Sequence, residues 1–225
     1  IYYQASDVKG ASVLQTNDSG YIVSGFKQSY YSPYNYGFLI KLNKNGDTMW
    51  LKNYQNIYNI DKILATKIFD DGYFLIGRNS LWDGLSMIKT DNYGDTLWTK
   101  IYKFGNNPYP ETATQSLDSG YIITGSDPSG VFLFKVNKNG DSLWYKSYSN
   151  SVGYIDGVDI SLIKDSGYVI IGQTLALPHY YNAMIIIKTD ASGDTLWTKT
   201  YGGSDISSDC IAWSIRQTKD NGYII

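Results

Sequence analysis

An eight-residue motif that occurs four times at nearly constant spacing is the feature that most constrains this chain. Its clearest copy reads Asp-Asn-Tyr-Gly-Asp-Thr-Leu-Trp at residues 91–98. The tryptophans of the four copies are 48, 46 and 53 residues apart, and a Gly-Tyr pair preceded by Asp or Asn recurs at steps of 52, 48, 47 and 55 residues. Because two different markers keep one period, a repeat of about 50 residues is the unit of architecture. The repeated residues assigned a structural role are Trp50, Trp98, Trp144, Trp197, Gly46, Gly94, Gly140 and Gly193.

Each repeat contains four short apolar segments separated by turns rich in Gly, Asn and Asp. Tight hairpin turns need residues that tolerate positive φ, so this composition predicts antiparallel hairpins. No segment of ten or more residues shows helical spacing. First strands are predicted at residues 12–16, 63–68, 112–116, 158–163 and 211–217, second strands at 21–25, 73–77, 121–125 and 168–172, third strands at 38–42, 86–90, 131–136 and 184–189, and fourth strands at 48–54 and its counterparts.

Four antiparallel strands in each repeat are typical of a β-propeller blade. The sequence therefore predicts an all-β chain, a β-propeller built from four-stranded blades of about 50 residues. A β-solenoid coil needs fewer residues and a stack of β-sandwich modules about twice as many, so both rank below the propeller. The repeats fall at approximately residues 3–54, 55–102, 103–148 and 149–201, with a partial repeat at 202–225.

The positions within a repeat at which the sequence starts and stops predict how many blades it contains. The chain begins next to Tyr2, which is in phase with the tyrosine that closes a fourth strand, and it ends inside a second strand. We therefore expect four complete blades and half of a fifth, as part of a longer array that closes into a ring of about six to eight blades. A closed ring of five blades would contradict this expectation.

Composition excludes several classes of partner. The formal net charge is −2 and no run of Lys or Arg is present, whereas nucleic-acid binding depends on clustered positive charge. No apolar run approaches the roughly 18 to 20 residues of a membrane-spanning helix. Neither nucleic acid nor a membrane span is expected.

Catalytic chemistry has little material in this sequence. His179 and Cys210 are each the only residue of their type, which leaves little for a nucleophilic triad, a Cys–His pair or a zinc site of His and Cys. A pair of Asp carboxylates for acid–base chemistry stays open, although most Asp residues lie in repeat turns. The sequence therefore assigns no catalytic residue and favours a role other than catalysis.

Three of the four motif turns place oxygen-bearing side chains at alternate positions, as Asn43, Asn45 and Asp47 do. This spacing matches the first ligands of a calcium loop, but the later ligands and the bidentate Glu are missing. An Asx turn, in which the first side chain accepts hydrogen bonds from its own backbone, explains the same residues. The turns are therefore predicted to be structural, and no cofactor or metal is expected.

The motif resembles the Asp-box of sialidase-type propellers and the tryptophan-docking motif of quinoprotein-like propellers. Its spacing differs from the Asp-box by one residue before Gly and one between Thr and Trp. The whole unit is most similar to a repeat of large secreted Bacteroidota proteins, which residues 165–172 and 187–203 match nearly throughout. This resemblance implies a propeller, an extracellular or outer-surface location, and export by the type IX secretion machinery.

Two further side-chain sets are assigned from the pattern. The lysine that ends each third strand is predicted to be solvated or bonded to a turn. Trp213 is predicted to lie in the core within a first strand, and Trp82 in a loop. The lysines are Lys41, Lys89, Lys135 and Lys188.

In a four-stranded meander, the one–two and three–four turns lie at one end of the sheet and the other connections lie at the opposite end. The first pair is constant among the repeats, whereas the two–three and four–one connections vary and are rich in Tyr, Asn, Ser and Gly. Variable loops on a constant scaffold are typical binding sites. The alternative is that these aromatic loops only pack over sheet edges. Candidate ligand-binding residues are Tyr30, Tyr31, Tyr34, Trp82, Asp83, Tyr109, His179, Tyr180 and Tyr181.

The sequence thus favours a secreted or cell-surface binding or adhesion propeller whose ligand is a carbohydrate or a protein. One alternative is a glycan-active enzyme that uses Asp residues at the mouth of the ring. Another is a structural spacer or docking domain of a large surface protein.

Overall fold

A computed structural model of the chain describes residues 7–28, 35–54, 64–67, 72–78, 83–105, 107–149, 155–176, 181–202 and 210–225. All regular elements within these ranges are β-strands, and no helix there could span a membrane. The chain divides into two compact units, Ile1–Pro108 and Tyr109–Ile225.

The first unit contains two four-stranded antiparallel sheets, each with its strands in chain order. The repeat therefore folds as the predicted meander. The first sheet consists of β1 (Asp7–Gln15), β2 (Tyr21–Gln28), β3 (Asn35–Leu42) and β4 (Thr48–Tyr54), and the second of β5 (Leu64–Lys67), β6 (Tyr73–Arg78), β7 (Gly84–Thr90) and β8 (Thr96–Lys103).

The second unit contains two more sheets of this kind and a two-stranded hairpin. The four-stranded antiparallel sheets and the all-β class are thus confirmed for both units. The third sheet consists of β9 (Tyr109–Gln115), β10 (Tyr121–Asp127), β11 (Gly130–Val136) and β12 (Ser142–Tyr148), the fourth of β13 (Ile155–Leu162), β14 (Tyr168–Ala176), β15 (Tyr181–Thr189) and β16 (Thr195–Tyr201), and the hairpin of β17 (Arg216–Gln217) and β18 (Tyr223–Ile224).

First strands begin earlier than the sequence pattern predicts. β1, β9 and β13 each begin before the predicted position, and each pairing with the second strand contains a register shift. In β1 the shift falls between Gly10 and Ser12. Because a bulge inserts a residue and breaks the two-residue alternation, the part of the strand before it escapes a pattern search.

The fifth repeat corrects two predictions. Regular strand structure covers only Arg216–Gln217 of the predicted first strand, and Trp213, predicted in the core, is 77% exposed. Ala212 and Ile215 take the inward positions and join the apolar cluster of the fourth sheet. The intervening Trp213 therefore faces solvent.

The core of each unit lies between neighbouring sheets. In the first unit, Ile22 and Leu39 of the first sheet form one buried cluster with Leu75 and Ile88 of the second, and Trp50 packs against it. In the second unit, side chains of the third sheet cluster with those of the fourth in the same way. In the second sheet, β6 and β7 are therefore buried along their whole length, whereas β8 alternates between exposed and half-buried residues.

Turn lengths distinguish the two ends of the sheets. Five residues separate the first strand from the second, and the third from the fourth, in all four complete sheets. The two–three connections instead run from Gln28 to Asn35, Arg78 to Gly84, Asp127 to Gly130 and Ala176 to Tyr181. We call the first the constant end of a sheet and the second its variable end.

In three of the four complete sheets, the one–two turn uses glycine for a different reason from the predicted one. The serine before the glycine takes the positive φ there, for example Ser119 at 63°, whereas Gly72 of the second sheet itself has φ +126°. A Cβ on Gly120 would lie 2.3 Å from the carbonyl oxygen of Val136 and 2.9 Å from Nζ of Lys135. Close approach of the third strand, rather than backbone dihedral, therefore requires this glycine.

Candidate functional site

The motif turns at the constant end are held by their own first side chain. Oδ1 of Asn43 accepts hydrogen bonds from the backbone N–H of Asn45 and of Asp47, both at 2.9 Å. The first residues of the other three turns, Asp91, Asn137 and Asp190, make the same pair of bonds. The predicted Asx turn is therefore present in all four motifs. Within the described ranges, no three His, Cys, Asp or Glu side chains form a group that could hold a metal ion.

The lysine that ends the third strand bonds to the one–two turn of its own sheet. Nζ of Lys135 donates to Oδ1 of Asp118 at 2.6 Å and to the hydroxyl of Ser116. Lys41 bonds Asp18 at 2.8 Å, and Lys188 bonds Asp165 at 3.0 Å. Of the two predicted alternatives, solvated or bonded to a turn, these three lysines adopt the second, and Lys135 is only 3% exposed.

This contact predicts a loss of stability in acid. Burial raises the pKa of Asp118, but hydrogen bonds from Lys135, Ser116 and the backbone of Gly120 outweigh it and lower that pKa to about 2. The pKa of Asp118 in the folded state is below the usual value of 3.8. The ionised carboxylate therefore adds its full contribution to the free energy of unfolding above about pH 4, and this contribution is lost as the pH falls towards 2. Urea unfolding at a series of pH values should show the midpoint falling within this window. A midpoint that is constant from pH 5 to about pH 2 would contradict the prediction.

Alternate residues of the fourth strand contact the next sheet. From β4, Trp50 packs on Tyr73 with ring centroids 6.4 Å apart, and Nζ of Lys52 lies 2.6 Å from Oδ1 of Asp95. The hydroxyl of Tyr54 donates to the carbonyl oxygen of Gly94 at 2.8 Å. We call this Trp-x-Lys-x-Tyr set the strand-four connector.

The second unit repeats the connector with closely similar geometry. From β12, Trp144 packs on Tyr168 at 6.3 Å, Lys146 pairs with Asp194 at 2.6 Å, and Tyr148 donates to the carbonyl oxygen of Gly193 at 2.6 Å. Burial and the nearby charges of Asp194 and Asp190 raise the pKa of Tyr148 well above its usual value. Since surface ion pairs contribute little, most of the stabilisation comes from the buried rings. The motif thus joins neighbouring sheets.

The variable end carries those candidate binding residues that the structure describes. Asp83 accepts backbone hydrogen bonds at its carbonyl oxygen from Phe104 and Gly105, and its carboxylate lies 3.5 Å from Nζ of Lys103. Asp83 directly precedes β7, Tyr109 begins β9 and Tyr181 begins β15, so the three residues belong to three different repeats. The remaining candidates lie outside the described residues: Tyr30, Tyr31, Tyr34, Trp82, His179 and Tyr180.

Two polar groups at the variable end were not predicted. Arg78 ends β6, is buried, and donates from Nη2 to Oδ1 of Asn107. Asp127 ends β10 and accepts hydrogen bonds from the backbone of Gly130 and from the Tyr145 hydroxyl, the latter at 2.7 Å. The sequence could have drawn attention to Arg78, because it is one of only two arginines in a chain whose other cationic side chains are lysines.

Comparisons with known proteins add little to this geometry. Neither a protein-family model nor a curated protein matches the chain. Among solved structures, the chain is similar to the crystal structure of a eukaryotic initiation factor, with 10% sequence identity and a TM-score of 0.36. The match covers 85% of this chain and 55% of that one, so the chain spans about half the length of that protein. A likeness of this size supports no conclusion about fold or function.

Proposed function

We propose that this chain belongs to a β-propeller that serves as a secreted or cell-surface binding module, with a carbohydrate or protein ligand at the variable ends of its sheets. The observation that carries the proposal is the difference between the two ends of each sheet. At the constant end, repeated side chains are engaged with one another. At the variable end, the connection changes from sheet to sheet.

The engagement of the constant end supports this assignment. Asx side chains cap the motif turns, lysines bond the one–two turns, and the connector joins neighbouring sheets. These contacts leave the most repeated polar groups of the motif with structural partners. A ligand site built from them would have to break contacts that hold the sheets together.

The polar side chains at the variable end also support the proposed ligand site. The guanidinium of Arg78 is fixed by Asn107, and the carboxylate of Asp127 by Tyr145. Polar groups held on rigid strands next to loops rich in Tyr and Asn are suited to recognising sugars or polar protein surfaces. Stacked four-stranded sheets of one repeat type support the propeller arrangement, in which these ends would share one face.

A glycan array tests the proposal directly. The 225-residue chain would be applied to printed neutral and acidic glycans, and a pull-down from extracellular extract with identification by mass spectrometry would test protein ligands. We expect specific binding that falls at least tenfold when Tyr30, Tyr31 and Tyr34 are replaced together by alanine, because stacked aromatic rings supply much of such affinity.

Tyr93→Ala is the matched control, since Tyr93 is an exposed tyrosine of the constant end. It should bind as the unmodified chain does. Equal losses in the control and the triple variant would place the ligand elsewhere. Release of reducing sugar from a bound glycan would favour the glycan-active alternative, and absence of both ligand types would favour the spacer.

A further inference from the structure

The variable end of the second sheet carries an aromatic residue that the other repeats lack. The residue six positions after the motif tryptophan differs among the four repeats, being Asn56, Phe104, Asn150 and Gly203. The connectors of the first and third sheets form without an aromatic residue there. The contacts that join neighbouring sheets therefore do not require the ring of Phe104.

Phe104 stacks on Tyr102, and we call the two rings the aromatic shelf. Their centroids are 6.3 Å apart and their planes are inclined by 19°. Both residues are half-buried, so part of each is accessible to solvent. Backbone hydrogen bonds hold the shelf in place, because the N–H groups of Phe104 and Gly105 both donate to the carbonyl oxygen of Asp83, at 2.8 and 3.0 Å.

Two charged side chains lie beside the aromatic shelf. Gly84 pairs with Lys103. The preceding residue, Asp83, therefore lies opposite Phe104, and opposite residues of an antiparallel pair share a face of the sheet. The flexible stem of Lys103 brings its Nζ to 3.5 Å from the Asp83 carboxylate, which is longer than a hydrogen bond of about 2.7–3.2 Å. The side chains are 33% exposed for Asp83 and 61% for Lys103, so a ligand can reach both an acceptor and a donor.

A third polar side chain, that of Asn107, lies at the same end of the second sheet. Asn107 is exposed, and its Oδ1 accepts a hydrogen bond from the buried Arg78. This bond orients the amide. Because the oxygen is engaged, the amide offers the hydrogens of Nδ2 to a ligand.

We propose that this end of the second sheet binds one neutral sugar residue, so that the ligand is a carbohydrate rather than a protein. The inference rests on the proposed function, since it assigns the ligand class of the same variable end. The apolar C–H face of the sugar ring packs on the ring of Phe104. One hydroxyl donates to the Asp83 carboxylate, and the neighbouring hydroxyl accepts from Nζ of Lys103.

Charge and size favour a neutral sugar. The exposed charges of Asp83 and Lys103 are opposite, so together they offer no net attraction to an acidic sugar. Each hydroxyl of a neutral sugar can both donate and accept, which matches an acceptor beside a donor. A stable protein interface needs about 800 Å² on each partner, whereas one aromatic shelf with a few fixed polar groups is typical of a small-ligand site.

Saturation-transfer-difference NMR tests the inference on the 225-residue chain. The probes are the methyl glycosides of glucose, galactose, mannose and glucuronic acid. We expect at least one neutral glycoside to bind, and the glucuronide to bind no more tightly than the glucoside. Phe104→Ala should weaken binding at least tenfold, whereas Phe104→Trp should retain it, because tryptophan preserves the stacking surface. Asp83→Asn should weaken binding about tenfold, since it removes a charge-assisted hydrogen bond. It keeps the carbonyl oxygen that holds the shelf, so this variant is expected to fold.

Tyr93→Ala, at the exposed constant end, is the matched control and should bind the glycoside as the unmodified chain does. Glycoside binding that is unchanged in both Phe104→Ala and Asp83→Asn would overturn this inference while leaving a sugar-binding module. A captured protein ligand, with no neutral glycoside bound at about 10 mM, would overturn it while sustaining the proposed function. Tighter binding of the glucuronide would overturn the neutral assignment. Absence of both glycan and protein ligands would overturn this inference and the proposed function together.

Discussion

Replacement of Gly94 by alanine is expected to lower the free energy of unfolding of the first unit by about 3 kcal/mol. Gly94 has φ +78°, and a Cβ there would lie 2.9 Å from both Cη2 and Cζ3 of Trp50. An L-residue in this conformation costs about 1 kcal/mol, and forcing a methyl group against a packed ring costs about 1 to 3 kcal/mol more. Urea unfolding followed by tryptophan fluorescence and circular dichroism would measure the loss.

Gly46 provides a matched control within the same unit. It holds the same position of the same motif, with φ +90°, but a Cβ there would meet no atom within 4 Å. Gly46→Ala should therefore cost only the backbone contribution of about 1 kcal/mol. The difference between the two variants measures the contact between the turn and the connector. Equal losses would show that Trp50 does not depend on the close approach of Gly94.

Local turn chemistry explains why so much of the fold could be predicted. An Asx side chain that caps its own backbone within four residues, as Asn43 does, is encoded by adjacent sequence and needs no tertiary context. The same holds for the hairpin order, because turns of five residues leave only antiparallel neighbours. Repetition then supplies independent copies of each signal. The predicted starts of the first strands were less accurate, because bulges such as the one at Gly10 break the two-residue alternation of apolar and polar side chains.

The contacts between sheets could not be predicted from local sequence. The hydrogen bond from Tyr54 to Gly94 joins residues 40 positions apart, so no window of strand length contains both partners. A signal was nevertheless present, because Trp, Lys and Tyr keep a fixed spacing in step with the Gly-Asp turn in every repeat. The choice between a solvated Lys135 and one bonded to a turn was left open for a related reason, since its partners Asp118 and Ser116 lie 17 and 19 residues away in the sequence.

The candidate site was the least predictable part of the molecule. Its connections do not repeat, so no second copy of Arg78 or Asp127 was available for comparison. Composition identified the variable end as rich in tyrosine, but it could not distinguish a ring held against a sheet from one presented to a ligand. Residues that recur are assigned by comparison within the chain, whereas residues that occur once need a structure or an experiment.

Lys135→Ala is expected to lower the free energy of unfolding of the second unit by about 3 kcal/mol. The side chain is almost fully buried and bonds both Asp118 and Ser116. The truncation removes the buried stem and leaves both oxygens without this donor. This loss of unfolding free energy should lie at the lower end of the range for breaking a buried ion pair, because Asp118 is partly exposed and can be rehydrated. Lys138→Ala, in an exposed turn, should change the free energy by no more than about 0.5 kcal/mol.

Lys135→Met separates the charge from the packing, since methionine keeps most of the apolar stem. We expect it to cost about half as much as alanine and to weaken the dependence on acid between about pH 4 and pH 2. Without the ammonium group, the pKa of Asp118 should return towards its usual value, so protonation would no longer oppose folding over this window. Urea midpoints of both variants at pH 7 and pH 3 would test this. An unchanged dependence on pH in Lys135→Met would show that the acid loss comes from other carboxylates, such as Asp18 and Asp165, whose pKa values are also lowered by strand-three lysines.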